Sequence, residues 1–369
     1  MAELLLELYS EEIPPQLQIG ARTQLKQFIE NSFKEDNIYY KDLLVYSSPT
    51  RLMLHVKDVA EKIKINAKEI KGPKVGSSEQ ILKGFTKAKN VTEKDLFKKE
   101  TEKGKFYYIK IDPKSILVED LLVKTLPKAL NSISWKKSMK WSDYSLMWGR
   151  PLRSIFAKFN NKKLDFRFDH LETTDEVIIE QDLISKTKKI NNFKEYLAFL
   201  KSYKIIVDHE EREQIILKKI NSVSKTKDYK ENLNSRLLEE VVNIVEDPNI
   251  LLVSFNKDYL KIPQEIIIST LEKHQRYFPI FDKRDRLTNY FFVVANKKDE
   301  KRLITEGNKR VVEARLADAK FFWDKDRSKN LIKQIANLKS VTFYEKLGTI
   351  YDKTQRLRQL AGLLSDDLN

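Results

Sequence analysis

The chain opens on "AELLLELYS", a leucine-rich run read as a strand over residues 3–9. After Glu11-Glu12-Ile13-Pro14-Pro15, Leu17, Ala21, Leu25 and Phe28 recur at the spacing of one helical face. A proline in the first turn of a helix loses no needed hydrogen bond, so Pro14 and Pro15 suit its entry. Adjacent residues in extended chain point to opposite sides, which keeps Glu11 and Glu12 from converging on a substrate. All four are read as structural, with the two acids close to the positive end of the helix. "DLLVYSSPTRLMLHVKDV" (42–59) then predicts two strands around a Ser-Ser-Pro turn.

Clustered Gly, Pro and Lys in "EIKGPKVGSSEQILKGFTKAKN" (69–90) predict a loop and a small basic helix. From 105 to 170 the pattern gives a strand at "KFYYIKI", an amphipathic helix around "LLVKTLPKAL", and the aromatic stretch "SWKKSMKWSDYSLMWGRPLRSIFAKF". The helix "NNFKEYLAFLKSY" and the charged "DHEEREQIILKKINSV" follow. "LLEEVVNIVEDP" predicts a helix stopped by Pro248, "ILLVSF" a strand, "PQEIIISTLEKHQ" a helix, and "RYFPIFDKRDRLTNYFFVVAN" a hairpin with a basic tip. The remainder reads as helical. The expected class is α+β, with several small mixed domains, predominantly antiparallel sheets and a closing helical segment. The domain reading is 1–65, an N-terminal α/β unit; 66–174, a central α+β domain with basic loops; 175–230, a small α+β insertion; 231–325, an α+β domain with an arginine-rich hairpin and helix; and 326–369, the start of a truncated helical domain.

Composition narrows the chemistry. A length of 369 residues with 41% hydrophobic content supports two or three folded domains. There is no long apolar span, and Glu3 and Glu7 stand where a signal peptide would be basic, so a cytoplasmic protein with no membrane role is expected. With no cysteine and four histidines (His55, His170, His209, His274), thiolate and metal chemistry have few candidates. His55, His170 and His209 are read as ordinary core or surface residues. The net charge of +15 suggests a polyanionic partner, against the plainer reading of a solvated lysine surface. Arginine is more telling: seven of 16 (Arg276, Arg284, Arg286, Arg302, Arg310, Arg315, Arg327) lie between 276 and 327. Such a concentration of planar, bidentate donors suits phosphate binding.

No glycine-rich phosphate loop of either common pattern occurs, and nine glycines leave little for one. "KKSMKWS" has the wrong order for a synthetase lysine-serine loop, and no His-x-Gly-His accompanies it. Trp135, Trp141 and Trp148 among lysines either stack bases or fill a core, and the core reading is preferred. In "EKHQRYFPIF", His274, Gln275 and Arg276 sit where a helix passes into a strand, a place able to read an RNA end; with Arg284, Arg286 and Arg310 they form the candidate RNA-binding set. "GNKRVVEARLADAKFFWDKD" predicts a helix capped by Asn308, with Val312, Leu316, Ala319 and Trp323 within about 60° of one another. Arg315 borders that arc, either paired with Asp318 or aimed at a partner, and both are assigned structural roles. Arg310 falls on the opposite face.

Together, "SEEIPPQ", "SSPTRLMLHV", "KGPKV", "MWGRPLRSIFA", "LLEEVVNIVEDP", "HQRYFPIFD", "FFVVAN", "GNKRVVEARLADAKFFWDKD" and "LGTIYDKTQRL" resemble the beta subunit of bacterial tetrameric glycyl-tRNA synthetase, collinearly from residue 10 to about 357. The resemblance implies a non-catalytic partner of an alpha subunit that holds the active site for glycine, ATP and Mg, with no cofactor in this chain. It also implies binding to tRNA(Gly) and an alpha2-beta2 tetramer for the full-length protein, acting in translation. Two departures stand out. The family usually continues into an HD-type helical domain and an anticodon-binding domain, so this chain is expected to lack anticodon recognition. Where the family tends to carry Gly-His-Arg-Phe, this chain has "VIIEQDLIS" (177–185). Two other classes compete: a free-standing RNA-binding module, which would bind RNA without a partner, and an editing-type hydrolase, which would need convergent titratable groups in a cleft.

Overall fold

A computed structural model of the chain describes residues 2–65, 68–89, 91–101, 104–111, 114–181, 184–230 and 233–368. It is the expected α+β arrangement of small, mostly antiparallel sheets closed by a helix. The chain forms two compact units, one of Met1–Ile215 with Leu238–Pro248 and one of Ile216–Leu237 with Asn249–Asn369.

The first unit begins with β1 (Ala2–Ser10), α1 (Pro15–Glu35), β2 (Asp42–Ser48) and β3 (Arg51–Val59). Next come β4 (Lys62–Ile65), β5 (Lys68–Lys74), α2 (Glu79–Lys89), β6 (Leu96–Thr101), β7 (Gly104–Ile111) and β8 (Lys114–Leu117). Lys68–Lys74 was expected as loop, but it pairs antiparallel with β7, which also carries β6. After α3 (Val118–Ser132) the chain continues through β9 (Leu152–Phe159), β10 (Lys162–Lys163), β11 (Arg167–Phe168), β12 (Leu171–Thr174), β13 (Glu176–Gln181), β14 (Ile184–Lys189) and α4 (Phe193–Ser202). The main sheet runs β11-β12-β9-β1-β3-β2, with β10 on β9, so β1 is central. Only the β12–β9 pairing among the described strands is parallel.

Side-chain alternation gives β1 two different faces. Leu4, Leu6 and Leu8 face an apolar core with Leu25, Ile29, Phe33, Leu122 and Leu126 of α1 and α3. The α1 stripe is the predicted one, continued by Ile29 and Phe33, while Phe28 sits at its edge. Leu5 faces the other way, toward Met53, Phe156, Val177, Ile179 and Tyr196, under a cover made by β13, β14 and α4.

The helix α5 (His209–Lys227) precedes β15 (Tyr229–Lys230) and α6 (Ser235–Val242). The predicted helix stop at Pro248 is wrong: α6 ends at Val242 because the buried Arg212 guanidinium takes the Val242 carbonyl at 2.9 Å, and Asn243 Nδ2 reaches back to the Glu239 carbonyl at 2.7 Å. The second unit continues with β16 (Asn249–Ser254), α7 (Gln264–Ser269), β17 (Phe278–Asp282), β18 (Leu287–Ala295) and α8 (Leu303–Arg327). Its sheet order is β15-β17-β18-β16, and Val312 and Leu316 of α8 pack with Val253, Leu271 and Phe291. Beyond α8 the chain is not wholly helical as expected: α9 (Leu331–Gln334) leads to a short hairpin of β19 (Thr342–Tyr344) and β20 (Gly348–Thr349) before α10 (Ile350–Asp367). Thr349 and Asp352 cap α10 reciprocally. Among the described residues no helix is long and apolar enough to cross a membrane.

Candidate functional site

The predicted tRNA-binding residues fall at three places in the second unit. In the first, α7 widens into a π-helical turn, Thr270–Gln275, which ends at Arg276 with φ of 60°, a left-handed conformation unusual for a residue with a side chain. Such wide turns and strained backbones concentrate at functional positions. The turn is anchored from below, because Tyr277 N–H donates to the Leu271 carbonyl at 2.9 Å and its ring stacks on Phe291 at 5.2 Å. His274 is exposed, Gln275 and Arg276 are half-buried, and the Arg276 guanidinium donates to the Lys273 carbonyl.

The hairpin tip is the second place, and most of its charge is cancelled locally. Asp282 accepts the N–H groups of Arg284 and Arg286 at 2.8 and 3.0 Å and pairs with the Arg286 guanidinium at 2.7 Å. These donors, those of Arg286 first, hold its carboxyl below the usual range. Lys283 pairs with Asp228 at 3.0 Å and Lys230 with Asp285 at 2.5 Å. Arg284 is exposed and has no ion pair among the described residues.

Helix α8 is the third place. Asn308 does not cap it. Asp299 does, accepting from Ile304 N–H at 2.9 Å and Thr305 N–H at 2.8 Å; Asn308 lies a turn inside, donating to the Ile304 carbonyl and accepting from Tyr277 Oη. Arg310 is exposed. Arg315 and Asp318 are exposed too and form no ion pair among the described residues, so of the two readings of Arg315 the pairing with Asp318 is not made; the Arg315 charge is felt at Tyr277, where it opposes the upward shift that burial gives the phenol. The Tyr277–Asn308 hydrogen bond brings the first and third places together, while the hairpin tip stands at the far end of β17.

In the first unit, Glu11 and Glu12 are exposed at the junction, as a structural role allows, and Glu11 pairs with Arg153 at 3.4 Å. Trp148 is buried, and Trp135 and Trp141, each partly buried, pack against the same core, as the core reading expects. Gly149 permits this, since a Cβ there would stand 2.5 Å from the Trp135 ring.

Sequence reasoning missed the polar centre on the second face of the main sheet. Glu7 and Arg51, at 1% exposure each, pair at 2.9 Å, and Tyr196 Oη donates to Glu7. Burial opposes the Arg51 charge, but Glu7, Tyr196 and Glu246 together hold the guanidinium above its ordinary pKa. Burial, followed by the Glu7 charge, pushes the Tyr196 phenol well up. Along the same face, Glu3 Oε1 lies 2.8 Å from His55 Nε2. Arg212, with no exposure, donates to the carbonyls of Val242, Ile206, Val207 and Ser47, while Arg22 donates to Ser47 Oγ and Asn243 Oδ1. Beside these cations, burial first and then Arg22 and Arg212 depress the His209 pKa to about 3. The available signal was a glutamate inside an otherwise leucine strand, which requires a buried partner. These groups fasten backbone segments together, and the cavity of about 200 Å³ beside them is lined by neighbours such as Tyr46, Phe193 and Val207 and not by the charged groups themselves, which reads as scaffold.

The chain matches the family described as glycyl-tRNA synthetase beta subunit over residues 4–369. It is 33% identical over 366 residues to the glycine–tRNA ligase beta subunit of Rickettsia canadensis (strain McKiel), covering 99% of this chain and 55% of that protein. It is 34% identical over 368 residues to the corresponding subunits of Rickettsia prowazekii (strain Madrid E) and Rickettsia typhi (strain ATCC VR-144 / Wilmington), covering 100% of this chain and 55% of each. The chain thus spans about half the length of the curated relatives it matches.

Proposed function

Since the chain belongs to the glycyl-tRNA synthetase beta subunit family, we propose that it is a non-catalytic part of glycine–tRNA ligase that binds tRNA(Gly) and a catalytic alpha subunit in the cytoplasm. The observation that carries this reading is the family match across residues 4–369. In this reading ATP, Mg and glycine are handled by the alpha subunit, and the full-length protein assembles as an alpha2-beta2 tetramer. The exposed Arg284 and Arg310, with His274, Gln275 and Arg276 at the π-helical junction, supply phosphate and end contacts to the tRNA acceptor arm.

The test is reconstitution. The alpha subunit is assayed for glycylation of tRNA(Gly) with and without this chain, alongside glycine-dependent ATP–pyrophosphate exchange by the chain alone. The reading expects co-purification with alpha, altered glycylation on addition, and no exchange by the chain alone. Robust exchange without alpha, or no physical association with it, would overturn the assignment.

A further inference from the structure

Between α3 and β9, residues 133–151 form an irregular loop held shut by one bridge, Met139 to Trp148, with N–H to carbonyl distances of 2.8 and 3.2 Å. Its base is the packed tryptophan cluster, and its outer side differs sharply. Tyr144, 41% exposed, lies flat on His170, with centroids 3.7 Å apart and planes at 6°, and Trp141 meets the same imidazole edge-on at 5.9 Å. Asp169, in a left-handed turn with φ of 53°, fixes the stack: its carboxylate accepts from Ser145 Oγ and lies 3.0 Å from His170 Nδ1.

Beside this stack is a cavity of about 440 Å³. Leu130, Trp148 and Phe168 lie on its apolar side, and Asn131, Met147 and Arg167 bring polar and flexible groups to it. Lys136, Lys137 and Lys140 of the loop are exposed and have no ion pair among the described residues, unlike Lys283 of the β17–β18 hairpin and Lys230 of β15. An exposed aromatic ring and unpaired cations on one loop are the two parts of a sequence-tolerant single-strand site, and the cavity beside them is large enough to admit a base.

We propose that this loop is a binding site for unpaired RNA, with one base stacking on the outer face of Tyr144 and the backbone running along Lys136, Lys137 and Lys140. The proposal rests on the RNA-binding reading above but places a contact outside the arginine-rich unit to which that reading points. His170 and Asp169 are positioning residues: they hold the Tyr144 ring face-out, and the hydroxyl of Ser145 holds the Asp169 carboxyl below its usual pKa so that the brace stays ionised. A duplex cannot use the stack, since its bases already cover one another.

The test uses this chain with a fluorescein-labelled single-stranded RNA of about eight nucleotides, within the usual site size of such surfaces, a duplex of the same length, and tRNA(Gly). Tyr144→Ala should weaken single-strand binding by roughly five- to a hundred-fold, the range for removing one base–aromatic stack, and leave duplex binding unchanged. Tyr144→Phe should restore it. Replacing Lys136, Lys137 and Lys140 with Ala should flatten the log Kd against log salt plot by about 0.7 for each phosphate no longer neutralised. Unchanged single-strand affinity in Tyr144→Ala, with tRNA still bound, overturns this site and leaves the broader reading standing. Failure of the wild-type chain to bind any RNA overturns both. Loss of alpha-subunit association with RNA affinity intact reassigns the loop to a protein partner and also overturns the site.

Discussion

Replacing Arg51 with Met removes a guanidinium that is 1% exposed and leaves Glu7, equally buried, with Tyr196 Oη as its remaining side-chain donor. Arg51 also donates to the Ile178 carbonyl and lies over the Tyr9 ring at 4.6 Å. Breaking a buried pair from one side costs about 3–5 kcal/mol, because the surviving charge is stranded. In a unit of this size that is a fall in Tm of roughly 6–20 °C. Glu7→Leu should cost a similar amount by stranding Arg51. The double variant is the decisive one: with both charges gone and similar volumes kept, no charge is stranded, and the loss should fall well below the sum of the two single losses, with about 1–3 kcal/mol remaining for the buried Tyr196 hydroxyl left without its acceptor. The coupling term is then several kcal/mol. Urea unfolding followed by tryptophan fluorescence suits the measurement, since Trp135, Trp141 and Trp148 lie in this unit and only Trp323 in the other. A loss below about 1 kcal/mol in Arg51→Met, or a double variant that simply adds the two single losses, would refute the view that the pair is a closed, desolvated unit.

Other outcomes follow from the same geometry. Because the folded-state pKa of His209 is about 3 against an ordinary 6.5, the unfolded chain takes up the proton first as pH falls. Stability should therefore decline below about pH 6.5, at less than the limiting 1.4 kcal/mol per pH unit because the ring is partly exposed, and His209→Gln should flatten the dependence when Tm is followed from pH 7 to 5. Gly149→Ala should lower stability by about 1–3 kcal/mol, since the new Cβ meets a Trp135 ring already wedged against Trp148 at 4.9 Å; an unchanged urea midpoint would show that the ring can move away. Arg284→Ala and Arg310→Ala should each weaken tRNA binding by about 1 kcal/mol and reduce the salt slope by about 1, with no change in Tm; variants that melt early but bind normally would make these arginines scaffold.

Local rules carried the sequence reading where burial followed a simple period. The stripe from Leu17 to Leu25 and the core positions Val312 and Leu316 could be read because one face of each helix meets an apolar surface. Reading failed where a distant polar group decided the local structure. The end of α6 depends on Arg212, which is 30 residues away in sequence from Val242, and the start of α8 depends on Asp299, outside the stretch that looked like a complete helix. Arg315 and Asp318 have the spacing of an ion pair but lie exposed and apart, where such pairs gain little. The Tyr144–His170 stack joins residues from a loop and a turn, and neither position is distinctive alone.

The ionic face of the main sheet needs an explanation other than stability, because replacing buried ion pairs by apolar groups of equal volume is often neutral or stabilising. Register supplies one. The two sides of β1 differ, with Leu4, Leu6 and Leu8 on one and Glu3, Glu7 and Tyr9 on the other, and β3 matches it with Leu52 and Leu54 against Arg51 and His55. A slip of one residue between these strands would turn Glu7 or Arg51 into the leucine core, unpaired, at a cost of several kcal/mol for each charge. In an all-leucine strand the same slip would exchange one apolar contact for another at little cost. The charges thus separate the native pairing from its nearest competitor. The same groups fix what lies over them: Arg51 takes the Ile178 carbonyl, Tyr196 of α4 reaches Glu7, and Phe193 N–H donates to Glu3 at 3.1 Å. Strand register and the seating of the β13, β14 and α4 cover are therefore set by one set of interactions, which is why removing a single member should cost more than removing a complementary pair.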